Sequence, residues 1–129
     1  MLAVDTNVLI RSVTADDPEQ SPQAQRFIES HDVFISSTVL LETELVLRYT
    51  YGQSQRDIVR VLRGFVGLPT VTVEEAGSIL QALDWTEEGM DFADALHLTK
   101  AASCDAFISY DKRCARLARR LGTLEVRSP

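Results

Sequence analysis

The sequence predicts an α/β domain with a mostly parallel sheet flanked by helices. Three observations predict it. Short runs of aliphatic and β-branched residues alternate with amphipathic stretches along the chain, the pattern of strand–helix–strand units. No internal repeat, low-complexity segment or linker interrupts the 129 residues, so 1–129 reads as one domain with one core. Acidic residues recur where a strand gives way to a helix, the edge of a parallel sheet at which ligands bind.

Taken in order, Leu2-Ala3-Val4 is a short strand that meets Asp5-Thr6-Asn7, a helix-start signal, before Val8-Leu9-Ile10. Residues 14–22 form a polar turn holding Asp16-Asp17-Pro18, read as a solvated loop or cap, and 23–30 a short helix. Asp32 to Ser36 is the second strand. Ser37 or Thr38 caps a helix reaching about Tyr51, stopped by Gly52. Residues 54–66 form an amphipathic helix with Ile58, Val59, Leu62, Phe65 and Val66 inward, broken by Leu68-Pro69 ahead of the strand Thr70-Val71-Thr72-Val73. Residues 74–83 are helical and 86–89 a turn. A helix follows from Met90. Ala106 to Ser109 is a strand, 111–121 a helix ended by Gly122, and Leu124-Glu125-Val126 a last strand.

Composition limits the function classes. Apolar residues at 45% and charged residues at 25% are ordinary for a globular protein. No apolar run approaches the roughly 18 residues of a bilayer span. The N-terminus reaches an acid too early for a signal peptide, so a cytoplasmic protein with no membrane partner is expected. Cys104 and Cys114 lack metal-type spacing and read as reduced and structural. A net charge of −6 argues against coating nucleic acid by bulk electrostatics. From Lys112 to Arg127, however, six basic residues stand against the single acid Glu125. Such a run is either a local phosphate contact or a solvated helix face.

The chemistry lies in the acids. At about 100° per residue, Asp91, Asp94, Ala95, Leu98, Ala101 and Ala102 share one helix face, which is otherwise small and apolar. Asp5 and Asp111 follow strands at the carboxyl edge. Glu42 lies in the second turn of the helix after strand two, and is expected to project among Leu45, Val46 and Tyr49 inside an apolar face. Glu44, with Arg48 four residues on, reads as a surface ion pair. Taken singly, Asp5, Asp91 and Asp111 are N-cap acids and Asp94 a first-turn acid favoured by the helix dipole. Capping does not explain Glu42 or the Asp91/Asp94 pair. Carboxylates at close quarters need a counter-charge, and a hard cation such as Mg²⁺ or Mn²⁺ supplies one. No Cys/His set suits zinc, and there is no phosphate-binding Gly loop or Ser/His/Asp nucleophile. His97 reads as a helix-surface residue near the edge of this group.

These residues together resemble the PIN-domain nucleases, and among them the VapC toxins of toxin–antitoxin pairs. The resemblance covers essentially the whole chain: Val4-Asp5-Thr6-Asn7-Val8-Leu9, Val39-Leu40-Leu41-Glu42, Asp91-Phe92-Ala93-Asp94-Ala95-Leu96-His97 and Ser109-Tyr110-Asp111-Lys112-Arg113 stand in the family's order. It implies a three-layer PIN-like domain. It also implies a catalytic quartet of Asp5, Glu42, Asp94 and Asp111, with Mg²⁺ or Mn²⁺ held by Asp5, Asp94 and Asp111. Asp91 matches a position that is acidic in many relatives. An RNA substrate, a small antitoxin partner and a homodimer are implied as well.

The chemistry so implied is metal-assisted hydrolysis of RNA phosphodiesters, with Glu42 or Asp111 orienting or deprotonating the attacking water. Thr6 and Ser109 would hydrogen-bond a carboxylate or phosphate oxygen, and Lys112, Arg113, Arg116 and Arg120 would offset repulsion of the RNA backbone. Rival readings are a phospho-receiver-like signalling module and a catalytically inactive PIN-like binding scaffold. The receiver needs an acceptor Asp after the third strand, where Glu74-Glu75 stands. A haloacid-dehalogenase-type phosphatase needs a second Asp two residues after the first, where Asn7 stands.

Overall fold

A computed structural model describes all of residues 1–129. The chain folds as two compact units, Met1–Ala76 and Gly77–Pro129. As expected, it is α/β, and every strand pairing is parallel.

The first unit carries β1 (Leu2–Ala3), β2 (Val33–Ile35) and β3 (Val71–Val73) in the order β1-β2-β3. Leu2 is in register with Val33, and Val33 with Val71. Val33 and Ile35 of the central strand are fully buried and Phe34 is half-buried, as expected for a strand covered on both faces. Four helices surround the sheet: α1 (Thr6–Val13), α2 (Gln20–Ser30), α3 (Ser37–Tyr49) and α4 (Gln55–Gly67). In α4, Ile58, Val59, Leu62 and Phe65 are buried, whereas Val66, expected to face inward, is half-buried. Each of those four burials contributes about 1.5–3 kcal/mol, against about 1 kcal/mol lost to Gly64 in the helix interior. Packing, not propensity, makes this helix.

Boundaries move where side chains cap differently from the sequence pattern. Asp17 Oδ1 accepts from the Glu19 and Gln20 amides (3.0 and 2.7 Å), so α2 starts three residues early. Pro22 then falls in its first turn, where a missing N–H is harmless. The cap of α3 is Ser36, whose Oγ accepts from the Val39 amide, rather than Ser37 or Thr38. Ser37 is occupied elsewhere: its amide and hydroxyl both donate to Glu74 Oε1 (2.9 and 2.7 Å).

The second unit begins one residue into α5 (Ala76–Glu87) and carries α6 (Phe92–Lys100), β4 (Phe107–Ile108), α7 (Lys112–Leu121) and β5 (Val126–Arg127), with β4 and β5 parallel. Its core holds Ile79, Leu83, Met90, Leu96, Leu98 and Ala118, each buried. Residue 75 has φ +50, a left-handed position that holds the start of α5 back to Ala76. The helix then continues through Thr86, whose hydroxyl donates to the Ala82 carbonyl, so the expected turn at 86–89 contracts to Glu88-Gly89. The α6 helix ends at Lys100. Ala95 and Leu98 are buried as predicted, but Ala101 is the C-cap and Ala102 is exposed, so the small-residue face is one turn shorter than expected. No helix is long and apolar enough to cross a membrane.

Candidate functional site

The predicted acids form two groups, one in each unit. In the first unit, β1 delivers the chain through buried Val4 to Asp5, the N-cap of α1. Asp5 is exposed and its Oδ1 accepts from the Thr6 amide at 2.7 Å. Thr6 is 4% exposed, and its hydroxyl donates to Glu42 Oε1 on α3. Thr6 therefore links the two acids through its amide and its hydroxyl, and each carboxylate keeps an oxygen for another partner. A groove of about 440 Å³ opens beside Asp5, with Asn7, Arg11, Gln20 and Phe27 among its walls.

The environment of Glu42 differs from the expected one. Glu42 is exposed, and so is Tyr49, on the open side of α3. The buried stripe is Leu40, Thr43, Glu44 and Leu47. Glu44 is thus not a surface residue. At 4% exposure it is among the most buried acids, held by Arg48, whose Nη2 donates to Oε1 at 3.0 Å and whose Nε lies 3.0 Å from Oε2. Glu44 already has a cation; Glu42 has a hydroxyl donor and solvent. Glu74, which the sequence pattern treats as an ordinary helix start, anchors Ser37 and so the beginning of the helix that carries Glu42.

In the second unit, Asp91 is the N-cap of α6 and accepts from the Asp94 amide. Asp111 is the N-cap of α7, with Oδ1 accepting from the Cys114 amide at 2.9 Å. Ser109 sets this acid, since its Oγ accepts from the Asp111 amide at 3.0 Å. Burial pushes the Asp94 carboxyl up, the charges of Asp91 and Asp111 push it further, and His97 opposes them weakly. His97 itself is exposed and stacks on Phe107 with ring centroids 6.2 Å apart.

Cys114, three residues after Asp111 on α7, feels the same charges. The buried thiol is raised to about 11, first by burial, then by Asp94, Asp111 and Asp91. The charges of three carboxylates thus reach one buried sulfur. At pH 8 only roughly one thiol in a thousand is ionised at such a value. In the folded protein at pH 8, iodoacetamide is therefore expected to alkylate exposed Cys104 and to spare Cys114 until denaturant is added. Peptide mass spectrometry reads both sites, and prompt native labelling of Cys114 contradicts its placement.

The C-terminal basic run divides. Arg113 Nη2 donates to the Gly89 carbonyl (3.2 Å) and Arg120 Nη2 to the Glu88 carbonyl (2.6 Å), so both serve the turn ahead of Asp91. Lys112, Arg116 and Arg119 lie exposed along another stripe of α7, following Tyr110, which is 83% exposed.

No three His, Cys, Asp or Glu side chains converge on a single cation position. Closed all-protein cages suit zinc or calcium. Mg²⁺ instead keeps several waters and is held by one or two carboxylates together with substrate phosphate oxygens. Within the second unit, Asp94, pushed up by burial and then by the charges of Asp91 and Asp111, suits such an open set. A divalent cation would remove the repulsion that raises the Asp94 carboxyl.

The PIN domain family profile matches residues 2–120. No curated protein sequence matches the chain. Among solved structures, the chain is similar to Mycobacterium tuberculosis VapC20, described as a sarcin–ricin loop cleaving toxin. The identity is 24% over 98% of this chain and 99% of that one, with a TM-score of 0.47.

Proposed function

Since the chain belongs to the PIN domain family, we propose that residues 1–129 act as one metal-dependent endoribonuclease, the toxin of a toxin–antitoxin pair. The observation that carries the nuclease reading is the match of the PIN domain profile to residues 2–120, a span in which Asp5, Asp91 and Asp111 each stand at a helix N-cap and Asp94 in a first helical turn. Membership of the family removes the phospho-receiver reading. The toxin reading rests on the ordered motifs around Asp5, Glu42, Asp94 and Asp111. With it come the cytoplasm as the place of action, a small antitoxin as partner and a homodimer as the assembly.

In this reading Asp5, Asp94 and Asp111 would hold Mg²⁺ or Mn²⁺, and Asp91, which caps α6, would act through water. When bound, such an ion polarises a non-bridging phosphate oxygen and makes water a better nucleophile near neutral pH. Glu42 keeps one oxygen clear of Thr6 and takes the proton of the attacking water, with Asp111 as the other candidate for that role. The water oxygen would bond to phosphorus as the bond to the leaving ribose oxygen breaks, and that oxygen would take a proton from solvent. Lys112 and Arg116 offset the charge of the RNA backbone. Arg113, expected to share that task, donates to the Gly89 carbonyl.

The test is cleavage of structured RNA by the purified protein in Mg²⁺ or Mn²⁺, with and without EDTA. Cleavage that stops on chelation and returns with added metal is expected. Undiminished cleavage in EDTA overturns the metal role, and intact RNA under every metal condition leaves the binding-scaffold reading instead.

A further inference from the structure

We propose that Arg113 and Arg120 are positioning residues that clamp the Glu88-Gly89 turn and so hold Asp91 and Asp94 in place relative to Asp111. The functional half of this inference rests on the nuclease reading above; the structural half does not.

Asp91 and Asp94 stand at the start of α6, and Asp111 at the start of α7. Asp111 lies twenty residues after Asp91, and the chain between them includes an exposed stretch over 102–105. Connectivity alone therefore leaves the spacing of the acids loosely set. A shorter tie exists. Arg113 lies two residues after Asp111, and Arg120 two helical turns further along the same edge of α7. They donate to consecutive carbonyls, those of Gly89 and Glu88. Gly89 in turn lies two residues before Asp91.

The turn suits two guanidinium groups. It follows directly on α5, whose C-terminal end carries the negative pole of the helix dipole, and a cation there is favoured. Gly89 has φ +110, and a Cβ at that position would sit 3.8 Å from Arg113 Nη2, so the guanidinium packs close against the turn. The turn is also tied from within, with the Gly89 amide on the Thr86 carbonyl and the Met90 amide on that of Trp85. The arginines thus brace a defined turn, while Lys112, Arg116 and Arg119 occupy a separate stripe of the same helix.

The experiment compares wild type with the Arg113→Ala/Arg120→Ala and Arg113→Lys/Arg120→Lys double variants by three measurements. These are amide hydrogen exchange at residues 89–94, Mn²⁺ binding by titration calorimetry, and cleavage kinetics on RNA. Exchange at Gly89, Met90 and Asp94 is expected to quicken about tenfold in the alanine protein. Mn²⁺ affinity and kcat should each fall about 10–100-fold while KM for RNA stays within about twofold. The lysine protein, which keeps a donor at each position, should recover most of the Mn²⁺ affinity even if the alanine protein folds poorly.

Unchanged exchange with unchanged Mn²⁺ affinity in the alanine protein overturns the clamp. A raised KM with kcat preserved also overturns it, because Arg113 and Arg120 would then be RNA contacts. A wild type that neither binds Mn²⁺ nor cuts RNA overturns the nuclease reading, and the exchange rates still decide whether the arginines hold the turn.

Discussion

Asp94→Asn is expected to abolish RNA cleavage, by about 10²–10⁴-fold in kcat, and at the same time to raise the melting temperature of the metal-free protein. The two effects have one cause. Burial and the neighbouring charges of Asp91 and Asp111 raise the Asp94 carboxyl above its usual 3.8. An acid whose folded pKa lies above its unfolded value binds protons more tightly in the folded state. Its favourable contribution is fully present below the unfolded pKa and is lost as pH rises through the folded one. At neutral pH the ionised Asp94 therefore costs stability, and the neutral amide relieves that cost without changing shape.

Asparagine also leaves the local structure intact. The Asp94 backbone amide, not its side chain, is what Asp91 caps. The signature is a stabilised, inactive protein, read by calorimetry in EDTA beside an RNA assay in Mg²⁺. A second arm follows from the same balance. Adding Mg²⁺ should raise Tm in wild type and do so much less in the variant, because the variant lacks the repulsion that the cation relieves. A variant that cuts RNA normally overturns the placement of Asp94 in the site, whatever its Tm.

The placement of this acid was legible in the sequence; its surroundings were legible only in part. Strand, polar residue, then amphipathic run is a strong local signal, and it located the junctions at Asp5 and Asp111; Asp91 instead follows a helix and a turn, and all three are N-caps. Boundaries moved where a nonlocal or strained group intervened. Glu74 draws Ser37 away from capping α3, and the left-handed backbone at residue 75 delays α5. The arginine clamp left no trace in the sequence, since its acceptors are main-chain carbonyls and only the folded turn presents them. A run of six cations looks the same whether its members face RNA or their own backbone.

The phase of α3 was the hardest feature to read, and it bears on the second large effect. From Val39 to Leu47 the apolar residues fall on nearly every side, so periodicity does not say which acid faces inward. The buried stripe contains Glu44, and Glu42 stands in the open, so the two glutamates exchange the environments expected of them. Glu42 stays the better candidate for the site, on different grounds: its link through Thr6 to Asp5.

Two matched substitutions separate the glutamates. Glu42→Gln keeps an oxygen for the Thr6 hydroxyl but removes the charge and the proton acceptor. Its Tm is expected to stay within about 1 °C, as for an exposed surface position, while kcat falls about 10²–10⁴-fold. Glu44→Gln takes the carboxylate from Arg48 inside a packed stripe. Arg48 is partly open to water and lies 4.7 Å over the Tyr49 ring, so its charge is not stranded, and the cost is about 1–3 kcal/mol rather than the larger penalty of a fully buried pair. That corresponds to a Tm lower by roughly 4–12 °C, with kcat per folded molecule close to wild type. If Glu44→Gln instead abolishes cleavage at unchanged Tm while Glu42→Gln remains active, the catalytic glutamate is Glu44. Its ion pair with Arg48 would then have to open during the reaction.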